Sequence, residues 1–254
     1  MKLSSVFVTA LSTFAVTCTA LGFSSQAQAL SFSGISSGTW GEPTAGSINT
    51  KPVFTGVNTN SFTWGELIPN NPMFNTPANQ LIFTGKYFSA EKDSLFKIGN
   101  LTYFNGTVPQ GTNVESVPLN LHVSFQNPTE LSEVFNFNFH LENTPNTSKN
   151  PEDWADFVYV KKNFDDGDAK GKGINTFSID GIKYTLELTS FSQDDGATNV
   201  SEFRVLEGEQ TTTAIFARIT QVPEPKQVSE PGAIAGLSLL GVYLISRKKS
   251  SNSC

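Results

Sequence analysis

Leu119-Asn120-Leu121-His122-Val123-Ser124-Phe125 and Phe135-Asn136-Phe137-Asn138-Phe139-His140-Leu141 are the two stretches that decide the fold. In each, every second side chain is apolar and those between are polar, which is the period of a strand and not of a helix. A strand of this kind buries one face and wets the other. His122 and His140, the chain's two histidines, fall in the polar phase and are expected on solvated faces.

The same period recurs on either side. Asp180-Gly181 stands between Phe177-Ser178-Ile179 and Ile182-Lys183-Tyr184-Thr185-Leu186-Glu187-Leu188, and a two-residue primed turn needs positive φ at both positions, so a hairpin is predicted there. Glu207-Gly208-Glu209 separates a further pair of strands at 203–206 and 213–219, and others are predicted at 81–84, 96–104 and 157–160. No window of the domain carries a helical period. Many short strands joined by Gly, Pro and Asn turns predict an all-β chain, an antiparallel β-sandwich of jelly-roll-like form.

The ends are built differently. Lys2 precedes an apolar stretch over 3–23, and Ala27-Gln28-Ala29 is the small-x-small pattern that signal peptidase cuts, so residues 1–29 read as a signal peptide for the Sec export machinery with Leu30 as mature start. Cys18 lacks the leucine and small residue expected before a lipidated cysteine, and the other cysteine, Cys254, is the last residue. A chain trimmed at both ends then holds no cysteine. Stability has to come from core burial within one domain over 30–221, which is long enough for it.

After residue 221 come Val222-Pro223-Glu224-Pro225 and an imperfect second copy, Val228-Ser229-Glu230-Pro231. An uncharged run over 232–246 follows, roughly 22 Å long as a helix against roughly 30 Å of bilayer core, and Arg247-Lys248-Lys249 stops it. By the positive-inside rule these cations stay in the cytoplasm and everything before them is exported, with the run as a single transmembrane helix. Triplet, apolar run and basic end together resemble the PEP-CTERM sorting signal of Gram-negative bacteria and cyanobacteria. That resemblance implies a membrane-held precursor over 222–254, recognised and cut by an exosortase. Pro223, Glu224 and Pro225 form the intact triplet; Glu230 and Pro231 stand in the usual register beside the apolar run, with Ser229 where the motif has proline. Both copies are candidates for recognition.

Within the domain, Gly38-Thr39-Trp40-Gly41-Glu42 returns as Phe62-Thr63-Trp64-Gly65-Glu66. Gly38-Thr39-Trp40, the stretch Asn58-Thr59-Asn60-Ser61-Phe62-Thr63-Trp64-Gly65, Phe83-Thr84-Gly85, Gly99-Asn100-Leu101-Thr102-Tyr103-Phe104-Asn105-Gly106, Asn143-Thr144-Pro145-Asn146-Thr147 and Ala155-Asp156-Phe157-Val158 resemble the choice-of-anchor K family over most of 34–220. Members are exported bacterial proteins, many cyanobacterial, and the family implies a location without implying an activity.

Residues 30–231 hold 13 basic and 23 acidic side chains, a net charge of −10, which argues against nucleic acid as a partner. Two histidines are too few for the usual triads and His-rich metal sites. Glu152, Trp154 and Asp156 would share one strand face, and a carboxylate pair beside an aromatic platform is glycosidase chemistry, though without the jelly-roll signature Glu-x-Asp-x-x-Glu. Glu42 and Glu66 beside Trp40 and Trp64 invite the same idea, or simply a buried tryptophan ending a strand. Asp165-Asp166-Gly167-Asp168 and Asp194-Asp195-Gly196 offer hard oxygens on glycine loops, as Ca²⁺ requires and as ordinary turns also do. The expectation is an exported, cell-surface protein without catalytic residue, cofactor or resident metal, in a structural or adhesive role with envelope polysaccharide as a partner. The alternative is a carbohydrate-binding or carbohydrate-hydrolysing jelly roll, and the exposure of Trp40, Trp64 and Trp154 discriminates the two.

Overall fold

The alternating stretches become the two longest neighbours of a sheet, and they run further than their apolar centres. The computed structural model describes residues 30–68, 76–161 and 173–224. Residues 1–29, the Asp165–Asp168 loop, and the tail from Pro225 through Glu230, Pro231, Arg247, Lys248 and Lys249 lie outside the described residues.

In chain order the strands are β1 Ser31–Trp40, β2 Phe54–Thr55, β3 Ser61–Trp64, β4 Asn79–Gly85, β5 Tyr87–Glu91, β6 Leu95–Phe104, β7 Ser116–Asn127, β8 Leu131–Glu142, β9 Asp156–Val160, β10 Gly173–Ile179, β11 Ile182–Ser192, β12 Glu202–Val205 and β13 Gln210–Gln221. They form two antiparallel sheets: β12-β9-β8-β7-β1-β5, and β10-β11-β13-β6-β4-β3-β2. Among the described residues the one helical element is a single 3-10 turn, Pro151–Trp154.

Local chemistry accounts for the turns. Asp180 and Gly181 adopt φ of 50° and 81°, the doubly positive pair of a primed turn, and Ile179 faces Ile182 across it. The other turn separates two strands as the sequence reading has it, β12 and β13. Glu207-Gly208-Glu209 does not close a hairpin, because β12 pairs with β9 while β13 pairs with β6 and β11. The segment carries the chain from one sheet to the other.

Between the sheets, the inward phase of β7 and β8 (Leu119, Leu121 and Phe125; Phe135, Phe137 and Phe139) meets an aromatic-rich core. Seven rings close a circuit at one end: Phe62 stacks on Trp64 at 5.7 Å, Trp64 on Tyr103 at 5.8 Å, and the chain continues through Phe203, Phe191, Phe139 and Trp40 back to Phe62. At the other end Phe32, Phe125, Phe177 and Tyr184 make a smaller circuit. Each such pair contributes about 0.5–1.5 kcal/mol beyond the area it buries.

The inward phase of β1 is of another kind, with Gly34, Ser36 and Gly38 between Phe32 and Trp40. There the second sheet crosses close by. A Cβ on Gly38 would stand 2.7 Å from the Phe83 ring and 2.9 Å from Leu119. Ser36 fastens the crossing: its N–H donates to Lys86 O at 2.9 Å, its Oγ accepts from Lys86 N at 2.9 Å, and its hydroxyl donates to Ile98 O.

Candidate functional site

The tryptophans answer first. Trp40 is 0% exposed and Trp64 3%, both inside the larger aromatic circuit, while Trp154 is half-buried with its Nε1–H donating to Ser148 O at 2.9 Å. Glu42 and Glu66, two residues beyond the buried indoles, are exposed. Each Trp ends a strand, and each following Gly hydrogen-bonds back through its N–H, Gly41 to Pro118 O and Gly65 to Val53 O. The repeated Trp-Gly-Glu is thus a strand terminus that sends indole and carboxylate to opposite sides.

Glu152, Trp154 and Asp156 do not share a strand face. Pro151 and the Asn150 cap, whose Oδ1 accepts from Glu152 N at 3.4 Å, turn Glu152 and Trp154 into the 3-10 segment, and β9 starts only at Asp156. Glu152 is exposed; Asp156 is 3% exposed, in the same phase as the buried Val158 and Val160. Its Oδ1 accepts from Thr144 N–H at 2.7 Å and Thr144 Oγ–H at 3.0 Å, which pins the 143–155 loop to the strand. Burial is the main cause that raises Asp156 to about 7, the Thr144 bonds oppose it, and the nearby Glu207 and Glu142 carboxylates add to it. Tyr103, fully buried, is pushed well above its ordinary value, again mainly by burial, with Asp156 and Glu207 contributing. Glu207 accepts the hydroxyl hydrogen of Thr107. The sequence did not show Thr144 and Glu207 as neighbours of Asp156: Thr144 lies on the long β8–β9 connection, and Glu207 on the segment that crosses from β12 in one sheet to β13 in the other.

The histidines part company. His122 is exposed and faces Val134, as its phase predicts. His140 is also in the outward phase but only 6% exposed: its ring lies 4.7 Å from that of Tyr159, Nε2–H donates to Glu142 Oε2 at 2.9 Å, and Nδ1 is buried without a hydrogen-bond partner. Alternation predicted a wet residue here, and the aromatic neighbour on β9 makes it a covered one. His122 and His140 point from positions about 20 Å apart along the strands and do not form a pair.

In the 194–196 loop both carboxylates are engaged. Asp194 Oδ1 accepts from Ser192 Oγ–H at 2.7 Å and Thr198 N–H at 2.8 Å, bonds that hold it down to about 2. Asp195 Oδ1 takes Lys97 Nζ at 2.8 Å, which lowers it too. The Asp194 bonds are those of an Asx-type turn, with Asp195 at φ 53° and Gly196 at φ 98°, while Asp195 ties the loop to β6 through Lys97. Among the described residues, no three His, Cys, Asp or Glu side chains come together as a metal centre needs.

Among the described residues, the outward phase of β5, β1, β7 and β8 forms an extended polar surface. Register sets it in rows. Tyr87, Ile35, Ser124 and Ser132 stand side by side; the next row is Ser37, His122 and Val134; the next is Thr39, Asn120 and Asn136. Asn136 Nδ2–H donates to Asn120 Oδ1 at 2.9 Å, and Ser132 Oγ–H to Ser124 Oγ at 3.3 Å. A groove of about 480 Å³ is lined by Ser37, Thr39, His122, Ser124, Ser132 and Glu133.

The sequence matches no family model and no curated protein. The resemblances drawn above therefore rest on the quoted residues alone.

Proposed function

We propose that the chain is an exported envelope protein: a signal peptide over 1–29, a non-enzymatic β-sandwich over 30–221 of choice-of-anchor K type with a structural or adhesive role, and a PEP-CTERM-like tail over 222–254 that exosortase recognises and cuts, removing residues 232–254. The observation that supports this reading is the exposure of the start of the first triplet. Among the described residues the last backbone bond of the sheet region is Val222 N–H to Lys183 O at 2.9 Å, and Pro223 and Glu224 directly after it are exposed. A protease acting on the triplet needs that arrangement: a sorting motif that starts in solvent as soon as the strands end. Three further findings fit a structural or adhesive part better than a catalytic one. Trp40 and Trp64 serve the core, Glu152 and Asp156 are separated by environment, Asp194 is used by its own loop, and Asp195 is paired with Lys97 on β6.

The test compares Glu224→Ala with Glu230→Ala in the full chain, expressed in a host that carries an exosortase, and reads membrane retention by fractionation. Retention of either variant supports tail sorting and tells which copy is read: Glu230 if distance to the apolar run governs, Glu224 if completeness of the motif does. If the wild type and a variant lacking both triplets partition alike, the sorting role is wrong.

A further inference from the structure

Within the adhesive role just proposed, the partner's chemistry can be named from the rows on the outer face of the six-stranded sheet. The three rows of outward side chains carry no Asp, Glu, Lys or Arg, although residues 30–231 carry a net charge of −10. What they carry instead is hydroxyl, amide and imidazole groups, interspersed with Ile35, Val134 and Tyr87, the last 61% exposed. Along each strand such groups repeat at about 6.8 Å, and between strands at about 4.8 Å, in a register fixed by the backbone ladder.

An acidic polymer or a phosphorylated surface finds no cation here. A protein partner finds neither a continuous apolar patch nor ion pairs. A ligand rich in hydroxyls and free of charge is matched on both counts: hydroxyl and amide groups pair with its oxygens, while an exposed ring and aliphatic side chains lie against its C–H faces. The groove's 480 Å³ lies within the size range of small-ligand clefts. Asn120, Asn136, Ser124 and Ser132 are fixed by one another, yet no described side chain takes up the Ser37 and Thr39 hydroxyls or the His122 imidazole. Those three groups line the groove and are free to donate to or accept from a ligand.

We infer that this face, centred on Ser37, Thr39, His122 and Ser124 and bordered by Tyr87, binds an uncharged polysaccharide. The inference rests on the adhesive reading but not on the route of export, so the two fail separately.

The experiment immobilises the full chain in detergent micelles and measures binding of a neutral β-1,4-glucan hexasaccharide, a neutral α-mannan and, as the acidic control, polygalacturonate. Wild type, Tyr87→Ala and Ser124→Asp are compared, all at exposed positions, with thermal melting to verify folding. The expected result is binding of at least one neutral glycan, none of polygalacturonate, and at least a tenfold loss in both variants at unchanged melting temperature. Binding of neither neutral glycan overturns the proposal, as does equal binding by wild type and variants. A concentration-dependent wild-type dimer that Ser124→Asp dissolves also overturns it, since the face would then serve a second copy. A mass showing that the leader or tail is retained in cells would count against the export reading and leave this result standing.

Discussion

The two faces of β7 and β8 are written by the same fourteen residues quoted at the outset and behave as different materials. Inward, Leu119, Leu121, Phe125, Phe135, Phe137 and Phe139 are nearly solvent-free and interlock with rings from the second sheet. Outward, Asn120, His122, Ser124 and Asn136 are wet or half-wet; Asn136 bonds to Asn120 and Ser132 to Ser124, across the two strands. One phase supplies cohesion and the other a surface, so each is open to change without the other.

The largest effect expected is on the inner phase. Phe139→Ala removes a ring that touches both Trp40 and Phe191 and should cost about 3–5 kcal/mol in urea unfolding. A cost under about 1 kcal/mol would mean that the circuit does not hold the sheets together.

Asp156 sharpens the comparison, being a carboxylate on the inner phase of β9. Its folded-state value of about 7 lies above the ordinary unfolded value of about 3.9, so the unfolded chain gives up its proton first. Folding therefore has no penalty from this group below about pH 4, a growing one between about pH 4 and 7, and a constant one above. Asp156→Asn keeps the acceptor for Thr144 and removes the charge. It should raise stability at pH 8 by at most about 4 kcal/mol, and leave it nearly unchanged at pH 3.5. Equal effects at both pH values would contradict the assignment.

Gly38→Val tests the crossing of β1 with the second sheet. Its Cβ would press on Phe83 and Leu119, and overpacking of this kind costs about 1–3 kcal/mol. The smallest effect belongs to the outer phase, where Asn136→Ala should stay within about 1 kcal/mol, the value of one exposed hydrogen bond.

The contrast also sets what the sequence discloses. Strands with an apolar inner phase were legible: β4 and β6 to β13 follow from alternation, some of them shorter than the strands formed, and the Asp180-Gly181 turn from its φ requirement. β1 was not, because Gly34, Ser36 and Gly38 fill its inward phase and the close crossing leaves no room for the side chains that mark a strand. The 3-10 turn at 151–154 escaped for a related reason: Pro151 and Asn150 impose a cap locally, while alternation of Glu152, Trp154 and Asp156 suggests a strand. At the candidate sites, single residues were visible and their company was not. Asp156 meets Glu207 and Tyr103 only once the chain has crossed between sheets, and the covered state of His140 depends on Tyr159 from the neighbouring strand.

The central claim is that this two-sheet domain is an exported module freed of its leader and its tail, and intact-mass measurement on protein recovered from the cell surface tests it most directly. The account predicts a mass that starts at Leu30 and lacks residues 232–254. A mass that still includes Arg247-Lys248-Lys249, or one that begins at Met1, would contradict it.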